Sequence, residues 1–338
     1  MTQTAGTTWT DSVATYSMDS NIREDLEDVI WELDPMDTWA LTNLPKVDAS
    51  NVYHEWLSDN LAAAAANRQI EGDDPTYSTA APAQRLGNYC QISRKEFIVS
   101  GTLEVVNKAG RRSEVQRLAT KLMKELKRDA EYALVTNQAS SAGGSATARS
   151  TAGMESWIQG PTASTVNTVQ NIIAATTSAT VATTAGFSSG TVAAPTEGGT
   201  TGAFTEAHLK LALAGSWEDG GDPRVILAGQ VQKAALDAFS GIATRQVDVA
   251  RTATASIIGA ANVYVSSYGS PHMVVLSRYV RSSVVLCIDP DYWAVAFLRR
   301  PFTESLAKTG DAHKRQLVME YALVCRNQFA SSKVVECA

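Results

Sequence analysis

The sequence lacks the local motifs by which many enzymes and metal proteins are recognised. Its 338 residues contain no G-x-x-x-x-G-K-[ST] phosphate loop, no G-x-G-x-x-G fingerprint and no H-E-x-x-H zinc motif. His54 and Glu55 begin the last of these, but Ser58 stands where the second histidine ligand is needed. We therefore expect no cofactor, no metal and no catalytic activity.

Cysteine and long apolar runs are also scarce. The four cysteines (Cys90, Cys287, Cys325 and Cys337) are scattered without C-x-x-C spacing. This pattern predicts reduced thiols in a cytosolic protein, not disulfides or a zinc site. No window approaches the roughly 18 consecutive apolar residues that a membrane span needs. The N-terminus has no basic start followed by an apolar run, so we expect no secretory signal.

Charge is sparse and unevenly placed. Charged residues make up 19% of the chain, against 44% hydrophobic residues, which is enough for a sizeable core. Residues 1–74 hold three basic and fifteen acidic residues, a balance of -12, whereas residues 91–131 hold ten basic and six acidic ones, a balance of +4. Because their charges are opposite, these two segments can attract each other, within one chain or between chains. The alternative is that both are solvated faces. The net charge of -6 disfavours nucleic-acid binding.

The first third of the chain reads as an arm followed by strands. In residues 1–50, Asn21 can cap a short helix that ends before Pro35, and residues 38–51 read as extended chain. In residues 51–110, period-two alternation indicates strands in a long hairpin-like excursion. The predicted strands are Val52–Leu57, Tyr89–Ile92 and Glu96–Val106.

The strongest predicted helix is Arg111–Asn137. Its apolar residues recur at spacings of three and four, and Lys, Arg and Glu fill the other face. At a rise of ~1.5 Å per residue it would be on the order of 40 Å long, enough to act as a spine. The apolar stripe indicates core packing, not a cofactor site.

Residues 139–205 form a compositional break. Of these 67 residues, 47 are Ala, Ser, Thr or Gly, which is typical of loops or linkers with thin strands. Two islands, Gly153–Ile158 and Val169–Ile173, carry enough apolar mass to be ordered.

From residue 206 onward a helix–strand alternation returns. The predicted helices are Glu206–Glu218 and Gln230–Phe239, and the predicted strands are Arg224–Ala228, Val263–Ser266, Met273–Leu276, Val284–Ile288, Tyr292–Leu298 and Lys314–Arg326. The last strand is apolar on both faces, which predicts a central position in a sheet. Asp289 and Asp291 flank a proline between two strands and indicate a structural turn, not an acid–base pair.

Several blocks together resemble the major capsid proteins of tailed double-stranded-DNA bacteriophages, in the podophage-type branch of the Hong-Kong-ninety-seven-type fold. In the most specific block, Gln91–Gln138, a strand ends in S-G-T and is followed by V-x-K-A-G-R and a long helix containing L-K-R-D. The blocks Ala148–Ile158, Trp217–Lys233 and Leu298–Val334 follow in the same order. The resemblance covers about three quarters of the chain, excluding the arm and the insertion.

The resemblance implies an α+β tailed-phage major capsid fold. Its parts would be an N-terminal arm (1–50), an extended β-hairpin loop with the start of the peripheral domain (51–110), the spine helix of the peripheral domain (111–149), an axial domain with a Ser/Thr/Ala-rich insertion (150–285), and the return strands of the peripheral domain with the C-terminus (286–338).

The implied function is structural. Copies of the chain would self-assemble as pentamers and hexamers into an icosahedral shell around packaged double-stranded DNA, contacted non-specifically. Further partners would be a portal and scaffolding and decoration proteins, with no membrane. The protein would be made in the host cytoplasm and reside in the virion capsid. The alternative is a bacterial nanocompartment shell protein of the same fold. An α/β enzyme built on residues 206–300 is a rival from another class.

The opposite charges suggest where subunits meet. The hypothesis is that the acidic arm or loop of one subunit crosses the basic spine of its neighbour. The interface candidates are Arg111, Arg112, Lys121, Lys124, Lys127 and Arg128 on the spine, with Glu24, Asp25, Asp73 and Asp74 on the arm and loop.

Overall fold

A computed structural model describes residues 30–33, 35, 38–61, 64–74, 77, 79, 82–158, 171–175, 186–195, 201–239 and 262–338. The helix predicted to follow Asn21 and the interface candidates Glu24 and Asp25 lie outside the described residues. The first part of the predicted island Val169–Ile173 also lies outside them, and its last three residues are described.

The described residues form helices and strands in mixed order. The helices are α1 Trp39–Asn43, α2 Gly101–Val105, α3 Glu114–Val135, α4 Met154–Trp157, α5 Glu206–Glu218 and α6 Gln230–Asp237. The strands are β1 Lys46–Asp48, β2 Tyr53–Ser58, β3 Gln84–Tyr89, β4 Gln91–Ser100, β5 Ile172–Ala174, β6 Gly186–Ser188, β7 Thr191–Ala193, β8 Val225–Ala228, β9 Val263–Val265, β10 Pro271–Leu276, β11 Val285–Ile288, β12 Trp293–Ser305, β13 Ala312–Cys325 and β14 Ser332–Val335.

One sheet has the strand order β1-β12-β13-β4. β12 and β13 pair as a long antiparallel hairpin, β4 adds antiparallel to β13, and β1 adds parallel to β12. The hairpin is buried near Trp293 and Cys325 and becomes largely exposed toward Ser305 and Ala312. The predicted central strand is confirmed as β13, because it has a partner on each side.

A second sheet has the strand order β5-β14-β11-β8-β10-β9. Three of its inner strands, β8, β11 and β14, are buried along their whole length, because both faces of this part of the sheet are covered. Ile226 and Ala228 pack with residues of α5 and α6, whereas Val225 and Leu227 belong to the cluster that contains the spine. Because successive side chains of a strand point to opposite faces, the strand contributes side chains to two separate apolar clusters.

The predicted spine helix is confirmed as α3, with bounds slightly inside those predicted. The Ser113 hydroxyl caps its start by accepting the Gln116 N–H at 3.3 Å. Leu126, Ala130 and Leu134 recur at intervals of four and are buried. They share one apolar cluster with side chains of both sheets, so the spine joins the two sheets.

β2 and β3 pair antiparallel from Tyr53–Tyr89 at one end to Ser58–Gln84 at the other. In the chain between them, the described residues 64–74 are exposed. Trp56 attaches this hairpin to the four-stranded sheet, since its indole N–H donates to the Cys325 carbonyl at 2.7 Å. The predicted hairpin is therefore confirmed for the strands β2 and β3.

Two predicted strands near the hairpin are wrong in part. Instead of one strand at Tyr89–Ile92, β3 ends and β4 begins on either side of Cys90. The strand predicted at Glu96–Val106 stops at Ser100, because the Ser100 hydroxyl accepts the Leu103 N–H at 3.2 Å and caps α2. A capping serine therefore outweighed the alternation of apolar residues that continues through Leu103.

The prediction of extended chain over residues 38–51 is also wrong in part. Trp39–Asn43 is the helix α1, while β1 is extended as expected. Thr38 provides no side-chain cap for α1. The cap comes from a spine residue 91 positions away in sequence from Ala40, which a local pattern does not reveal.

The predictions for the C-terminal half are confirmed in part, because β12 continues to Ser305, beyond the predicted end at Leu298, and β14 was not predicted. α5 has the predicted bounds, and α6 and strands β8 to β13 lie at the predicted places. Within the apolar islands, α4 and β5 are buried. All four cysteines are free and buried, and Pro290–Tyr292 forms one turn of 3-10 helix between β11 and β12.

We predict that Gly153→Ala destabilises the fold. A Cβ at this position would lie 1.9 Å from the Thr136 carbonyl oxygen, so the turn before α4 would have to move away from the end of the spine. We expect a loss of about 1–3 kcal/mol in the free energy of unfolding, measured by urea denaturation. Gly144→Ala is the matched control, because a Cβ there meets nothing within 4 Å. Equal midpoints for both variants would contradict the prediction.

Candidate functional site

The arm is fixed to the spine at α1. The Glu131 carboxylate of α3 accepts the backbone N–H groups of Ala40 and Leu41, each at 2.8 Å. These belong to the first-turn N–H groups that a helix leaves without internal partners. Glu131 is fully buried, and this burial raises the pKa of its carboxyl, while the hydrogen bonds act in the opposite direction. A single spine residue therefore holds the root of the arm.

One described residue before α1, Glu32, acts electrostatically on the spine. The pKa of Arg117 is raised mainly by its hydrogen bond to Glu114 and also by the charge of Glu32. Arg117 precedes Glu131 by fourteen residues, which is about 21 Å along a helix. Glu32 is therefore close enough to the spine for its charge to act on Arg117. Trp31 and Leu33 remain 83% and 97% exposed in this arrangement.

Three of the six predicted spine cations already have contacts within the chain. Arg111 forms an ion pair with Glu114 at the start of α3. The Arg128 guanidinium donates to the Tyr279 hydroxyl at 3.1 Å. Lys124 also takes part in an intramolecular interaction. These residues contribute to the fold of the subunit itself.

The other three spine cations are differently placed. Arg112, Lys121 and Lys127 have no carboxylate partner among the residues that the structure describes. Arg112 is exposed, and Lys121 and Lys127 are half-buried. The structure therefore separates the candidates along the spine into engaged and available cations.

The described part of the extended loop contains a tight acidic turn. The Asp73 N–H donates to the Ile70 carbonyl at 3.2 Å, and Gly72 has a φ of 83°. That left-handed conformation is the one a type II turn requires at its third position. Glu71, Asp73 and Asp74 are all exposed around the turn. The loop candidates Asp73 and Asp74 therefore stand together on a preformed tip.

Large apolar side chains are exposed on the arm, the loop, the strand β2, the short helix α2 and the edge strand β9. A monomeric protein exposes single apolar residues freely, but an apolar surface repeated on projecting segments marks contact with partners. The most exposed examples are Trp31 at 83%, Leu33 at 97%, Leu57 at 71%, Leu61 at 100%, Ile70 at 80%, Tyr77 at 94%, Val105 at 87% and Val265 at 65%.

A search for reactive groups finds structural roles. In the described part of the chain, no three His, Cys, Asp or Glu side chains are grouped as metal ligands. The buried Asp289 carboxylate accepts the backbone N–H groups of Asp222 at 3.1 Å and Asp291 at 3.2 Å, and Asp291 pairs with Arg224. The turn predicted at this position is confirmed. None of the described helices combines the length and apolarity that crossing a membrane requires.

The sequence did not predict a group of buried charged residues that links α4 to the six-stranded sheet. The Glu155 carboxylate pairs with Arg281, whose Nε lies at 3.0 Å, and the fully buried Lys333 donates to the Glu155 carbonyl at 2.5 Å. Glu155 is one of three charged residues in the Ala/Ser/Thr/Gly-rich stretch 139–205. Its isolation among uncharged residues was the signal in the sequence that could have indicated a buried ion pair. Removing one partner of such a pair leaves a buried charge, which is costly.

Comparison with known proteins identifies the family. The sequence profile of the SU10 major capsid protein family matches residues 1–338. The chain belongs to this family. It is therefore a major capsid protein, a structural subunit of a phage shell that associates with copies of itself. No curated protein sequence matches the chain.

Solved structures agree on the fold. The capsid of cyanophage A-1(L) has a TM-score of 0.61 at 12% identity, covering 96% of this chain and 98% of that chain. The capsid of a native GTA particle has a TM-score of 0.60 at 10% identity, covering 96% and 98%. The SrpI encapsulin complex from Synechococcus elongatus has a TM-score of 0.52 at 10% identity, covering 93% and 92%. The tailed-phage major capsid fold implied by the sequence blocks is thus confirmed.

We predict that Glu131→Ala detaches the arm root from the spine. Two hydrogen bonds to a buried carboxylate are lost, which should cost about 1.5–3 kcal/mol for local opening of α1. Hydrogen exchange of the Ala40 and Leu41 amides should accelerate accordingly. Glu125→Gln on the same helix is the control, since among the described residues Glu125 pairs only with Lys95, at 4.0 Å. Unchanged protection of both amides would refute the assignment.

Glu131 should also contribute a specific pH dependence. Because burial raises its pKa in the folded state, the folded protein binds this proton more tightly than the unfolded chain does. Its contribution to stability is fully present below the unfolded pKa and is lost as pH rises through the folded pKa. Urea denaturation across acidic pH should therefore show the wild type losing stability relative to Glu131→Gln as pH rises. Parallel curves would contradict this.

Proposed function

We propose that the chain builds an icosahedral shell around a packaged double-stranded DNA genome, with copies arranged as pentamers and hexamers. The observation that carries this proposal is the exposure of large apolar side chains on the described residues of the arm and of the extended loop, in a chain that belongs to a capsid protein family. Heterologous contacts repeated around five-fold and six-fold positions would cover those side chains and close the shell.

The proposed setting is the virion. The protein would be made in the host cytoplasm and assembled there with a portal and with scaffolding and decoration proteins. The structure of phage G major capsid proteins includes gp26 decoration proteins, which supports looking for such a partner here. DNA would be contacted non-specifically, since the chain is acidic. We propose no catalytic activity.

The proposed domains follow the two sheets. The spine and the four-stranded sheet would form the peripheral domain, and the six-stranded sheet would form the axial domain. The last strand, β14, pairs with β5 and β11 in the six-stranded sheet. Within this proposal the axial domain therefore includes residues 332–335 as well as most of 150–285.

The proposed subunit contact joins opposite charges. The acidic arm or loop of one subunit would cross the basic spine of its neighbour. Exposed ion pairs contribute only about 0.2–1 kcal/mol each. The stability of the shell must therefore come from many copies of the contact and from burial of apolar side chains such as Ile70 and Leu61.

Electron microscopy of particles from the expressed chain, with a scaffolding protein supplied if one is found, tests the proposal. Hollow icosahedral particles would support it, and a stable monomer at high concentration would refute it. The encapsulin likeness keeps a nanocompartment shell as a second candidate. Particles isolated from the native source would contain DNA in the first case and enzyme cargo in the second.

We predict that reversing Lys121, Lys124, Lys127 and Arg128 together to Glu impairs assembly. The subunit should remain folded by circular dichroism, although Arg128 loses its hydrogen bond to Tyr279. Particle yield on a density gradient should fall, because the attraction to an acidic segment becomes repulsion. Wild-type yield from a folded variant would refute the role of the spine cations.

A further inference from the structure

A cleft of about 200 Å³ lies at the base of the extended loop. Three segments of the chain meet there: the end of β2 with the residues that follow it, the start of β3, and the turn between β13 and β14. The polar residues that line it are Ser58, Asp59, Asn60, Gln84, Asn327 and Gln328. We call these six residues the loop-base cleft.

The described lining of the loop-base cleft is rich in oxygen. Its polar side chains are one carboxylate, four amides and one hydroxyl, and none of its described residues is Lys, Arg or His. The Asp59 carboxylate accepts the neighbouring Asn60 N–H at 2.9 Å and forms no ion pair with any residue that the structure describes. The cleft therefore carries a negative charge that the described chain does not neutralise.

One amide oxygen of the cleft is buried without a hydrogen bond. Gln328 is only 4% exposed, and its Oε1 has no donor among the residues that the structure describes. Leaving a buried acceptor without a partner is costly, so this oxygen needs a donor or a cation. Because Gln328 lines the cleft, an ion bound there can supply the missing contact.

The two asparagines of the cleft are held in place by hydrogen bonds. The Asn327 Nδ2 donates to the Asn60 Oδ1 at 2.7 Å, and the Asn327 Oδ1 accepts the Phe329 N–H at 3.0 Å. Each amide oxygen has two lone pairs, so each retains capacity for a further contact. These hydrogen bonds preorganise part of the cleft, which lowers the cost of binding a ligand.

We propose that the loop-base cleft binds a calcium ion. Ca²⁺ takes about six to eight oxygen ligands from carboxylates, amide carbonyls and water in a flexible arrangement. Asp59 would supply the negative charge, and Gln328 and Asn60 would supply amide oxygens. A water molecule occupies about 30 Å³, so a cleft of about 200 Å³ has room for the ion and several waters.

Other ligands fit the cleft less well. Water alone would satisfy Gln328 but would leave the charge of Asp59 without a cation. Mg²⁺ demands near-ideal octahedral geometry, which is harder to build from three separate segments than the flexible shell of Ca²⁺. Transition metals prefer nitrogen and sulfur ligands, and the described lining has no His or Cys. A site with one carboxylate matches weak calcium binding, with a dissociation constant of about 10⁻⁴–10⁻³ M.

A calcium ion in the cleft would tie both ends of the extended loop to the body of the subunit. Its ligands would come from the end of β2 and from the turn after β13, where Asn60 and Asn327 are 267 positions apart in sequence. No metal was expected from the sequence, because ligands so far apart form no motif. The proposal concerns the folded subunit and does not depend on the proposed shell function.

Hydrogen exchange of the full chain, followed by mass spectrometry, tests the proposal. The readout is the exchange of the Asn60 and Phe329 amides, because each donates to a side chain of the cleft. In about 10 mM CaCl₂ this exchange should slow about tenfold or more relative to NaCl of the same ionic strength, because bound ligand stabilises the closed state. MgCl₂ should slow it by less than about twofold.

Two variants remove ligands from the cleft. Asp59→Asn removes its charge, and Gln328→Met removes the buried acceptor at similar size. Each should reduce the effect of CaCl₂ to less than about twofold. Circular dichroism checks the fold of both variants. Because Asp59 is exposed, Asp59→Asn should fold normally and decides the test even if Gln328→Met does not fold.

Two matched controls should keep the full effect of CaCl₂. Asp73→Asn removes an exposed carboxylate that lies outside the cleft lining. Gln232→Met removes a buried glutamine of α6, whose Oε1 also lacks a donor among the described residues.

Three results would overturn the proposal. Equal exchange rates of the wild type in CaCl₂ and NaCl would show that water suffices for Gln328. The full effect in both Asp59→Asn and Gln328→Met would show that calcium binds elsewhere on the acidic surface. Equal slowing by MgCl₂ and CaCl₂ would refute the choice of calcium. Since none of these results concerns particle formation, they leave the proposed shell function to its own test.

Discussion

The apolar face of the spine helix is the contact on which the rest of the described structure depends. Leu126, Ala130 and Leu134 share one cluster with side chains of both sheets, so the two sheets are held in a fixed relation. The same helix presents Glu131 to the first turn of α1 and thereby sets where the arm begins. A rigid centre of this kind allows the projecting segments to be polar and thin without loss of stability.

Those projecting segments have an unusual balance of properties. They expose apolar side chains on an acidic background, as the loop tip with Ile70 and the arm with Trp31 illustrate. Net charge keeps free subunits apart, while each exposed apolar side chain gains free energy once it is covered. The combination suits a protein that must stay dispersed when dilute and associate when many copies are present. Membership of a major capsid protein family agrees with this physical picture.

Sequence reasoning succeeded where a pattern is local and long. The spine, α5 and the central strand β13 were predicted because their periodicity extends over many residues. It failed at short elements that depend on a single hydrogen bond or on a distant partner. Alternation through Leu103 predicted a strand, but the Ser100 cap made a helix, and α1 needed a carboxylate from α3. Counting acidic and basic residues along the sequence identified the charged interface candidates. It could not predict which contacts these residues make in the folded chain.

What the sequence by itself determined is the class of the protein, its elements of high periodicity and the separation of acidic from basic segments. Only the tertiary structure decided which charges are already used within the subunit. Arg111 and Arg128 have partners in their own chain, whereas Lys127 joins Lys46 and Arg300 around a groove. Lys46 and Arg300 lie on different strands, far from Lys127 in sequence. Charge patterns record the sign of each residue, but ion pairing depends on distances of a few ångströms that only folding sets.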